Sequence, residues 1–466
     1  MAQLAILSGI YAKETPDFAR SVPVNLIPVA QPGDGNGTGI SKGYLRLAHG
    51  IRQVHESPAD RGGAIYGTRH IRVVGEQVVE VTDTSLSVLG KIADDGKPVT
   101  FAEGFGRLGI ASAGRLYYLS NAGFDQVTDP DLGTVLSVTW SDGYFITTDG
   151  SYIVVTELSD PSSVDPLKYG SSEADPDPIV AVMALRGEVY ALNRYSIEKF
   201  INGGGTGFPF QRSRGSQIPK GCVGPHAFTP FVETFAFCGS SRNETPSIHL
   251  GGAGQAIKIS PQELDAELAK LTDEQLAVVE LEAMQDSGLN QLMVHLPTGS
   301  WIYHWSASQL LDVPVWSKLQ GGAAADQSYP VRHFTLVSGV WWCGSSGALG
   351  VVDDHIATVM GQPAAFRFDT PCAYNEGAGA IVNSLELIPL DGRGDVTGVS
   401  MAYTDDGRTY SNERYLASGT VGDRDSRMQW RRLGKFRRWR SFRFRGIASA
   451  PIAFARLDAN LEPLNG

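Results

Sequence analysis

The side chains best suited to chemistry form a dense group of cations near the end of the chain. Between Arg427 and Gly446 there are nine positively charged residues and no acidic residue. The whole chain of 466 residues has a formal net charge of −11, so the rest of it carries −20. Guanidinium and ammonium groups at this density can bind an anionic surface through charge-assisted hydrogen bonds. Eight of the nine are candidate interface residues: Arg431, Arg432, Lys435, Arg437, Arg438, Arg440, Arg443 and Arg445.

Aromatic side chains are interleaved with these cations, which indicates a folded strand rather than a solvated tail. Phe442 and Phe444 would share one face of a strand, with the neighbouring arginines on the other face. Three interpretations fit: the solvated face of a β-sandwich, a nucleic-acid-binding surface, or a protein interface that meets an acidic neighbour. The negative charge of the remaining chain would repel DNA, which favours the protein interface over general nucleic-acid binding.

No other part of the sequence assembles a nucleophile, a base and an orienting group. The nine histidines include no pair at H-x-x-x-H spacing. His226, His295 and His304 lie in or beside apolar strands, where hydrogen-bonded core histidines are more common than metal ligands. We therefore predict no catalytic residue, no cofactor and no metal ion, and we expect that the protein is not an enzyme.

The composition indicates strands and turns. The chain contains 54 Gly and 25 Pro, whereas charged residues make up only 19%, and this balance is typical of an all-β protein. The four cysteines are widely spaced, which predicts free thiols in a chain that folds in the cytosol. No apolar segment is long enough for a transmembrane helix.

A hairpin motif recurs loosely over residues 51–361, as two short apolar strands joined by a turn with Gly. Examples are 71–81, 108–118, 143–155, 180–190, 292–303 and 334–342. The early copies recur about every 37 residues, and hairpins repeated at roughly 40 residues predict a β-propeller. The repeats are degenerate, and they indicate six blades.

A helix pair is predicted as an insertion in the propeller at about 260–286. Ser260 is the expected N-cap of the first helix, with Pro261 at its first position and Glu263 completing a capping box. A second helix is expected to begin at Thr272 and to continue through Met284.

The two ends of the chain differ from the propeller region. Residues 1–50 are rich in Pro and include the glycine loop 33–39, which predicts an extended N-terminal arm. Residues 362–466 are predicted to form a C-terminal β-sandwich that contains the basic strand, with strands at 381–389, 397–403 and 440–447.

Residues 403–410, with the sequence YTDDGRTY, resemble the Asp-box hairpin of sialidases. We predict that Asp405 binds the backbone amides of the turn and that Gly407 takes a positive φ. This hairpin is structural even in enzymes. It gives weak support to an alternative function, that of a propeller-fold glycan-binding protein or glycoside hydrolase.

Several ordered segments resemble the packaged-DNA stabilisation proteins of short-tailed bacteriophages, also described as tail hub or nozzle proteins. The segments include Pro23-Val-Asn25, Gly43-Tyr-Leu-Arg46 and the region from Asp149 to Phe200. The helix pair followed by 292–297 and 314–316, and the closing segment 430–442, also resemble this family.

The resemblance implies a non-enzymatic component of the virion tail that is assembled in the host cytoplasm. It implies a homo-oligomer, a hexameric ring, below the portal and its adaptor protein. Such a ring extends the DNA conduit, retains the packaged genome and docks the tail needle, fibre or spike. Double-stranded DNA would pass through without sequence-specific binding, because an acidic wall repels phosphates. In this setting the alternative is a glycan-binding or glycan-hydrolysing protein of a phage tail.

Overall fold

The computed structural model describes residues 2–7, 9–12, 18–30, 43–158, 160–173, 175–390, 398–417, 427–448 and 450–464. These residues form mainly β-strands, with three α-helices and two short 3-10 helices, Pro130–Leu132 and Pro166–Lys168. The predicted all-β class is confirmed, with a β-propeller and a C-terminal β-sandwich. None of the helices in the described ranges has the length and apolar character needed to cross a membrane. The four cysteines are free thiols.

Six strands in the described residues precede the first complete blade of the propeller. They are β1 (Ala2–Leu4), β2 (Gly9–Ala12), β3 (Phe18–Ser21), β4 (Leu26–Ala30), β5 (Gly43–Leu47) and β6 (Gly50–Glu56).

Six antiparallel sheets of consecutive strands then form blades of the propeller. The first blade consists of β7 (Asp60–Tyr66), β8 (Arg69–Val74), β9 (Gln77–Val81) and β10 (Leu86–Lys91). The second consists of β11 (Thr100–Gly104), β12 (Arg107–Ser112), β13 (Arg115–Ser120) and β14 (Gly123–Gln126). The third consists of β15 (Val138–Ser141), β16 (Tyr144–Thr148), β17 (Tyr152–Val155) and β18 (Gly170–Ser171).

The next three blades follow the same antiparallel order. The fourth blade consists of β19 (Ile179–Leu185), β20 (Glu188–Asn193), β21 (Ile197–Asn202) and β22 (Phe210–Arg212). The fifth consists of β23 (Phe228–Phe231), β24 (Thr234–Gly239), β25 (Ser247–Gly252) and β26 (Gln255–Lys258). The sixth consists of β27 (Glu280–Asp286), β28 (Leu289–Leu296), β29 (Gly299–His304), β30 (Trp316–Gly321) and β31 (Gln327–Ser328).

A seventh sheet joins the two ends of the ring. It contains β32 (Arg332–Val337), β33 (Val340–Gly344) and β34 (Ala348–Asp353), and its fourth strand is β6. Strand β34 pairs antiparallel with β6, with Val351 opposite Arg52. The six blades indicated by the repeats correspond to the six sheets of consecutive strands. The seventh takes a strand from the start of the chain, and a local repeat cannot reveal such a pairing.

The helical insertion is shorter than predicted. Helix α1 (Gln262–Leu268) and helix α2 (Asp273–Leu276) lie between the fifth and sixth blades, and α3 (Trp305–Leu311) lies within the sixth. The prediction of helix as far as 286 is wrong, because Glu280–Asp286 forms strand β27 and pairs along its length with β28. The residues of this segment favour a helix, but pairing with a neighbouring strand overrides intrinsic helix propensity.

The capping of the two helices also differs from the prediction. Pro261 is the N-cap of α1 and makes no side-chain cap, while Ser260 donates its hydroxyl hydrogen to Asp265 Oδ1 at 2.6 Å. A complete capping box forms instead at α2, between Thr272 and Gln275.

Ten strands follow the propeller in the part of the chain that the structure describes. They are β35 (Thr358–Val359), β36 (Gln362–Asp369), β37 (Ala373–Tyr374), β38 (Ala380–Pro389), β39 (Gly398–Thr404), β40 (Arg414–Ala417), β41 (Met428–Arg431), β42 (Lys435–Phe436), β43 (Trp439–Ala448) and β44 (Ala453–Pro463). The strands predicted at 381–389, 397–403 and 440–447 lie within one residue of β38, β39 and β43.

These strands form the two facing sheets of the sandwich. One sheet has the order β4-β5-β44-β38-β41, and the other contains β36-β43-β39-β40. Phe368 of β36 stacks on Phe444 of β43, with 4.9 Å between ring centroids, and both are completely buried. The predicted alternation in β43 is present: Phe442 and Phe444 point into this core, and Arg445 points outward.

The described residues of segment 1–50 do not form a separate arm. Strands β4 and β5 pair with each other, and β5 also pairs with β44 of the sandwich. Strand β1 pairs with β44 as well. The apolar residues Leu26 and Leu45 are completely buried in the sandwich core, which explains why these strands pack there. The glycine loop 33–39 lies outside the described residues.

Asn25 joins the propeller to the sandwich. Its amide nitrogen donates to the carbonyl oxygens of Gln320 at 2.8 Å and Ala365 at 2.7 Å, and its Oδ1 accepts from the Gln320 amide at 2.9 Å. Gln320 belongs to the sixth blade and Ala365 to the sandwich. Asn25 is 2% exposed and has a φ of 53°, a conformation that Asn tolerates better than most residues.

We predict that Asn25→Gly lowers the free energy of unfolding by about 2–4 kcal/mol, because glycine keeps the backbone conformation but leaves three buried backbone groups without partners. Urea unfolding followed by tryptophan fluorescence measures the change. The control is Ser338→Gly, at an exposed turn residue with a φ of 49°, which should change the stability by less than about 0.5 kcal/mol. Equal effects of the two substitutions would contradict the proposed role of the Asn25 amide.

Candidate functional site

The predicted basic surface is centred on the connection between β41 and β43, residues 431–438, which we call the cationic loop. Three apolar side chains anchor this segment in the sandwich core: Trp430, Leu433 and Phe436, which are 3%, 1% and 2% exposed. The residues between the anchors point outward, because the anchors recur at every third position. Five candidate cations therefore lie exposed on a fixed backbone: Arg431, Arg432, Lys435, Arg437 and Arg438.

In the described part of the chain, the cations of the basic segment that form ion pairs with carboxylates lie outside the cationic loop. The pairs are Arg427 with Glu386, Arg440 with Asp405, Arg443 with Asp369, and Arg445 with Glu413. In the cationic loop, Arg431 donates from Nε to the side chain of Gln429 at 2.9 Å. The loop thus presents its charge to the surroundings and not to a carboxylate in the described part of the chain.

Arg440 is a correction to the predicted interface, because its side chain is only 2% exposed. It donates from Nε and NH2 to the two carboxylate oxygens of Asp405, at 2.6 and 2.8 Å. It also donates to the carbonyl oxygens of Leu433 and Lys435, at 2.7 and 3.1 Å, and lies 3.9 Å from the ring centroid of Tyr403. Arg440 therefore fixes the backbone of the cationic loop from inside.

Arg443 and Arg445 lie on the outer face of β43 and also have partners in the chain. Arg443 donates to the buried carboxylate of Asp369 at 2.6 Å and lies over the ring of Tyr410 at 3.9 Å. Arg445 pairs with Glu413, and both of these side chains are more than a third exposed. An exposed pair of this kind contributes little to stability, so Arg445 remains accessible at the edge of the basic surface.

The Asp-box-like turn has a different acceptor from the one predicted. Asp406, and not Asp405, accepts from the backbone amides of Arg408 and Thr409, each at 2.8 Å. These hydrogen bonds, with one from the Thr409 hydroxyl, lower the pKa of Asp406. Gly407 has the expected positive φ, 75°. Both carboxylates of the motif thus have structural partners, since Asp405 pairs with Arg440.

A second polar site lies on the axis of the propeller, at a cavity of about 420 Å³. The first strand of each of the seven sheets contributes to its lining: Gly62, Thr100, Val138, Met183, Phe228, Glu282 and His333. A group of charged side chains borders this cavity where the first, sixth and seventh blades meet. Sequence reasoning missed the group, because its members are distant along the chain.

Asp60 and Arg72 of the first blade form a completely buried ion pair, in which Arg72 donates from Nε and NH2 at 2.8 and 2.6 Å. His333 of the seventh blade donates from Nδ1 to the same carboxylate at 2.7 Å. Burial opposes ionisation of Asp60, but the charge of Arg72 and these hydrogen bonds outweigh burial and lower its pKa to about 2. The hydrogen bonds of His333 to this pair therefore tie the last blade to the first.

Glu280 and Glu282 extend the group into the sixth blade. Glu280 lies 3.2 Å from His333 Nε2 and accepts from Arg332 at 2.6 Å. Glu282 accepts from the backbone amides of His333 and Phe334, at 2.6 and 3.1 Å. Burial alone would lower the pKa of His333, but hydrogen bonds to Asp60 and Glu280 outweigh it and raise this pKa to about 10. The place beside His333 therefore favours a positive charge.

The other sequence-selected histidines differ in their surroundings. His304 is buried and its Nε2 lies 2.7 Å from Ser317 Oγ; burial lowers its pKa to about 3. His226 borders the axial cavity, and its pKa is lowered to about 4, chiefly by burial. His304 thus fits the predicted core role, whereas His295 lies beside Glu282, with 3.7 Å between Nε2 and Oε2.

Comparison with known proteins gives matches to both domains. Residues 2–357 match a family described as Bacteriophage P22 Gp10, beta-propeller, and residues 365–462 match one described as Bacteriophage P22 Gp10, beta-sandwich. The chain is 25% identical over 488 residues to the tail hub protein gp10 of Salmonella phage P22, and the alignment covers 99% of each protein.

Solved propeller structures are more distant. The Pan2 WD40 domain of Neurospora crassa matches with a TM-score of 0.41 and 10% identity, covering 65% of this chain and 91% of that domain. BamB from Moraxella catarrhalis matches with a TM-score of 0.38 and 12% identity, covering 75% and 98%. Both TM-scores are below 0.5, so these two similarities carry no weight for function.

We predict that Arg440→Met and Arg438→Met have very different effects on stability, although the chemical change is the same. Arg440→Met removes the ion pair between a buried guanidinium and the half-exposed carboxylate of Asp405. It also leaves two loop carbonyls without their hydrogen bonds, and should lower the free energy of unfolding by about 2–4 kcal/mol. Arg438→Met, at an exposed position, should change it by less than about 0.5 kcal/mol. Urea unfolding of both variants measures the difference, and a small effect of Arg440→Met would show that Arg440 does not stabilise the loop.

Proposed function

This chain belongs to the Bacteriophage P22 Gp10 family, and on that premise we propose that it is a non-enzymatic structural subunit of a phage tail hub. The observation that carries the proposal is the match over both domains, together with a relative of the same length that is named a tail hub protein. The subunit is a component of the virion tail and assembles in the host cytoplasm.

In the finer form of the proposal, six copies form a ring below the portal and its adaptor protein. The ring extends the DNA conduit, retains the packaged genome and docks the tail needle, fibre or spike at its distal end. Double-stranded DNA passes through without sequence-specific binding, because a protein with a net charge of −11 repels phosphates on average. Propeller blades suit a rigid wall, since closure of the ring leaves few long exposed strand edges.

The cationic loop is the proposed contact between neighbouring subunits or with the adaptor. Its five exposed cations are held on a backbone that Trp430, Leu433 and Phe436 anchor, so little conformational entropy is lost when a partner binds. Pre-organised guanidinium groups favour a surface rich in carboxylates.

The second and third blades offer such a surface on the same chain. Residues 116–167 contain eight acidic residues and no Lys or Arg. Asp125, Asp131, Asp142 and Asp160 are exposed there. Opposite charges on two parts of one chain support a head-to-tail contact between copies, and a contact of this type closes into a ring when the rotation allows it.

We predict that reversing Arg431, Arg432, Arg437 and Arg438 to Glu prevents ring formation while the free chain stays folded. Like charges would then face each other across the contact and weaken it by several kcal/mol. Native mass spectrometry and electron microscopy measure the assembly, and circular dichroism checks the fold. The control reverses four exposed cations of the propeller, Lys97, Arg115, Arg186 and Lys270, and should leave the ring intact.

A compensating variant identifies the partner surface. Changing Asp125, Asp131, Asp142 and Asp160 to Lys in the reversed chain should restore rings if the acidic surface of the next copy is the partner. A ring that forms normally from the reversed chain would rule out the cationic loop as a subunit contact.

A further inference from the structure

The charged group where the first, sixth and seventh blades meet contains, beside the ion pair of Asp60 and Arg72, a cluster of side chains that could bind a metal ion. Ligand atoms of Glu280, Glu282 and His333 converge there, and Nε2 of His295 lies beside Glu282. One ligand atom each from Glu280, Glu282 and His333 lies within 4.8 Å of the others. His295 Nε2 approaches Glu282 Oε2 to 3.7 Å.

In both histidine rings, Nδ1 already has a hydrogen-bond partner. His333 donates from Nδ1 to the ionised Asp60 at 2.7 Å, and His295 Nδ1 lies 2.8 Å from Ser300 Oγ. A carboxylate or hydroxyl that holds one ring nitrogen while the other faces a cation is the usual outer-shell arrangement of a metal-binding histidine. His333 therefore directs Nε2 towards Glu280, and His295 directs Nε2 towards Glu282.

His295 supplies an independent observation. It is completely buried, and its Nε2 has no hydrogen-bond partner among the described residues, because 3.7 Å is too long for a hydrogen bond to Glu282. A buried nitrogen without a partner destabilises the fold. A ligand for this atom would remove that destabilisation.

Two of the separations suit a tetrahedral ion. Ligand atoms at about 2.0–2.2 Å from Zn²⁺ lie roughly 3.3–3.6 Å from one another. The separations of 3.2 Å between His333 Nε2 and Glu280 Oε2 and of 3.7 Å between His295 Nε2 and Glu282 Oε2 are close to these values. The oxygens that also accept from Arg332 and from backbone amides keep lone pairs for a metal, since each carboxylate offers about four acceptor sites.

We propose that His295, His333, Glu280 and Glu282 bind a divalent transition-metal ion, with Zn²⁺ as the best match, and that this ion ties the sixth blade to the seventh. Two imidazoles and two carboxylates suit Zn²⁺ better than the all-oxygen sites of Ca²⁺ or Mg²⁺. Four protein ligands leave no open position, so the site is structural rather than catalytic. Binding displaces one proton from His333 Nε2 into solvent, and Asp60 keeps its hydrogen bond to Nδ1. The sequence alone indicated no metal site.

The test uses the untagged full-length chain, stripped with a chelator and then incubated with ZnCl₂. Elemental analysis after desalting should find one Zn²⁺ per chain, and thermal unfolding should shift upward with Zn²⁺. Cobalt gives a second readout that does not need a variant: Co²⁺ bound to the wild-type chain should show the visible absorption of a tetrahedral site with nitrogen and oxygen ligands.

We expect Glu282→Gln to weaken Zn²⁺ binding at least 100-fold. The remaining side-chain oxygen can still accept a hydrogen bond from the backbone of β32. His304→Gln is the matched control, since this buried histidine of the same blade faces Ser317 and no carboxylate; it should retain one Zn²⁺. His49→Gln tests the other cluster, in which Asp286 and Asp354 flank His49 at 3.3 and 2.6 Å.

Three results would overturn the proposal. The first is a wild-type chain that retains no Zn²⁺ after loading. The second is loss of the bound ion in His49→Gln with retention in Glu282→Gln. The third is a Co²⁺ spectrum of an octahedral, water-rich site, and it decides the matter even if Glu282→Gln fails to fold.

Discussion

The structure depends on the closure of its propeller ring, which joins strands from the two ends of a long segment. A sheet edge left open would expose unpaired backbone groups. Strand β6 covers the edge of β34, and this pairing fixes residues 50–56 in the last blade. The buried pair of Asp60 and Arg72 lies in the first blade, and its hydrogen bonds to His333 reach the last blade. Backbone hydrogen bonds thus close the outside of the ring, and side-chain charges close it near the axis.

This closure determines how the rest of the chain is arranged. Because β6 must lie in the last blade, the segment before it emerges beside the strands that follow that blade. Strands β4 and β5 accordingly join the sheet of β44, and β35 connects β6 to the other sandwich sheet. Asn25 completes the junction with hydrogen bonds to both domains. The sandwich is therefore a composite of both chain ends.

Local features of the fold could be predicted from the sequence, and long-range pairings could not. Alternating apolar residues around a turn encode a hairpin, so hairpins such as β8–β9 and the strands β38, β39 and β43 were recognisable. The pairing of β6 with β34 leaves no local pattern. Glu280–Asp286 has residues that favour a helix, yet β28 holds it as a strand. In the Asp-box-like turn, two adjacent aspartates are equivalent by type, and only the position of Arg440 assigns Asp405 to the ion pair.

The difference between local and long-range features also explains why the sequence revealed the basic segment but not the charged group at the axis. The basic segment is continuous in sequence, so composition alone revealed it, although burial of Arg440 required the neighbouring turn. The axial group draws on strands from the first, sixth and seventh blades, and its histidines look like ordinary core residues. The two sites also differ in consequence. Charges buried at the axis act on the stability of one chain, whereas the exposed charges of the cationic loop contribute little to it. The cations of the cationic loop point outward from a fixed backbone and are not needed for folding. They are therefore available for contacts in an assembly.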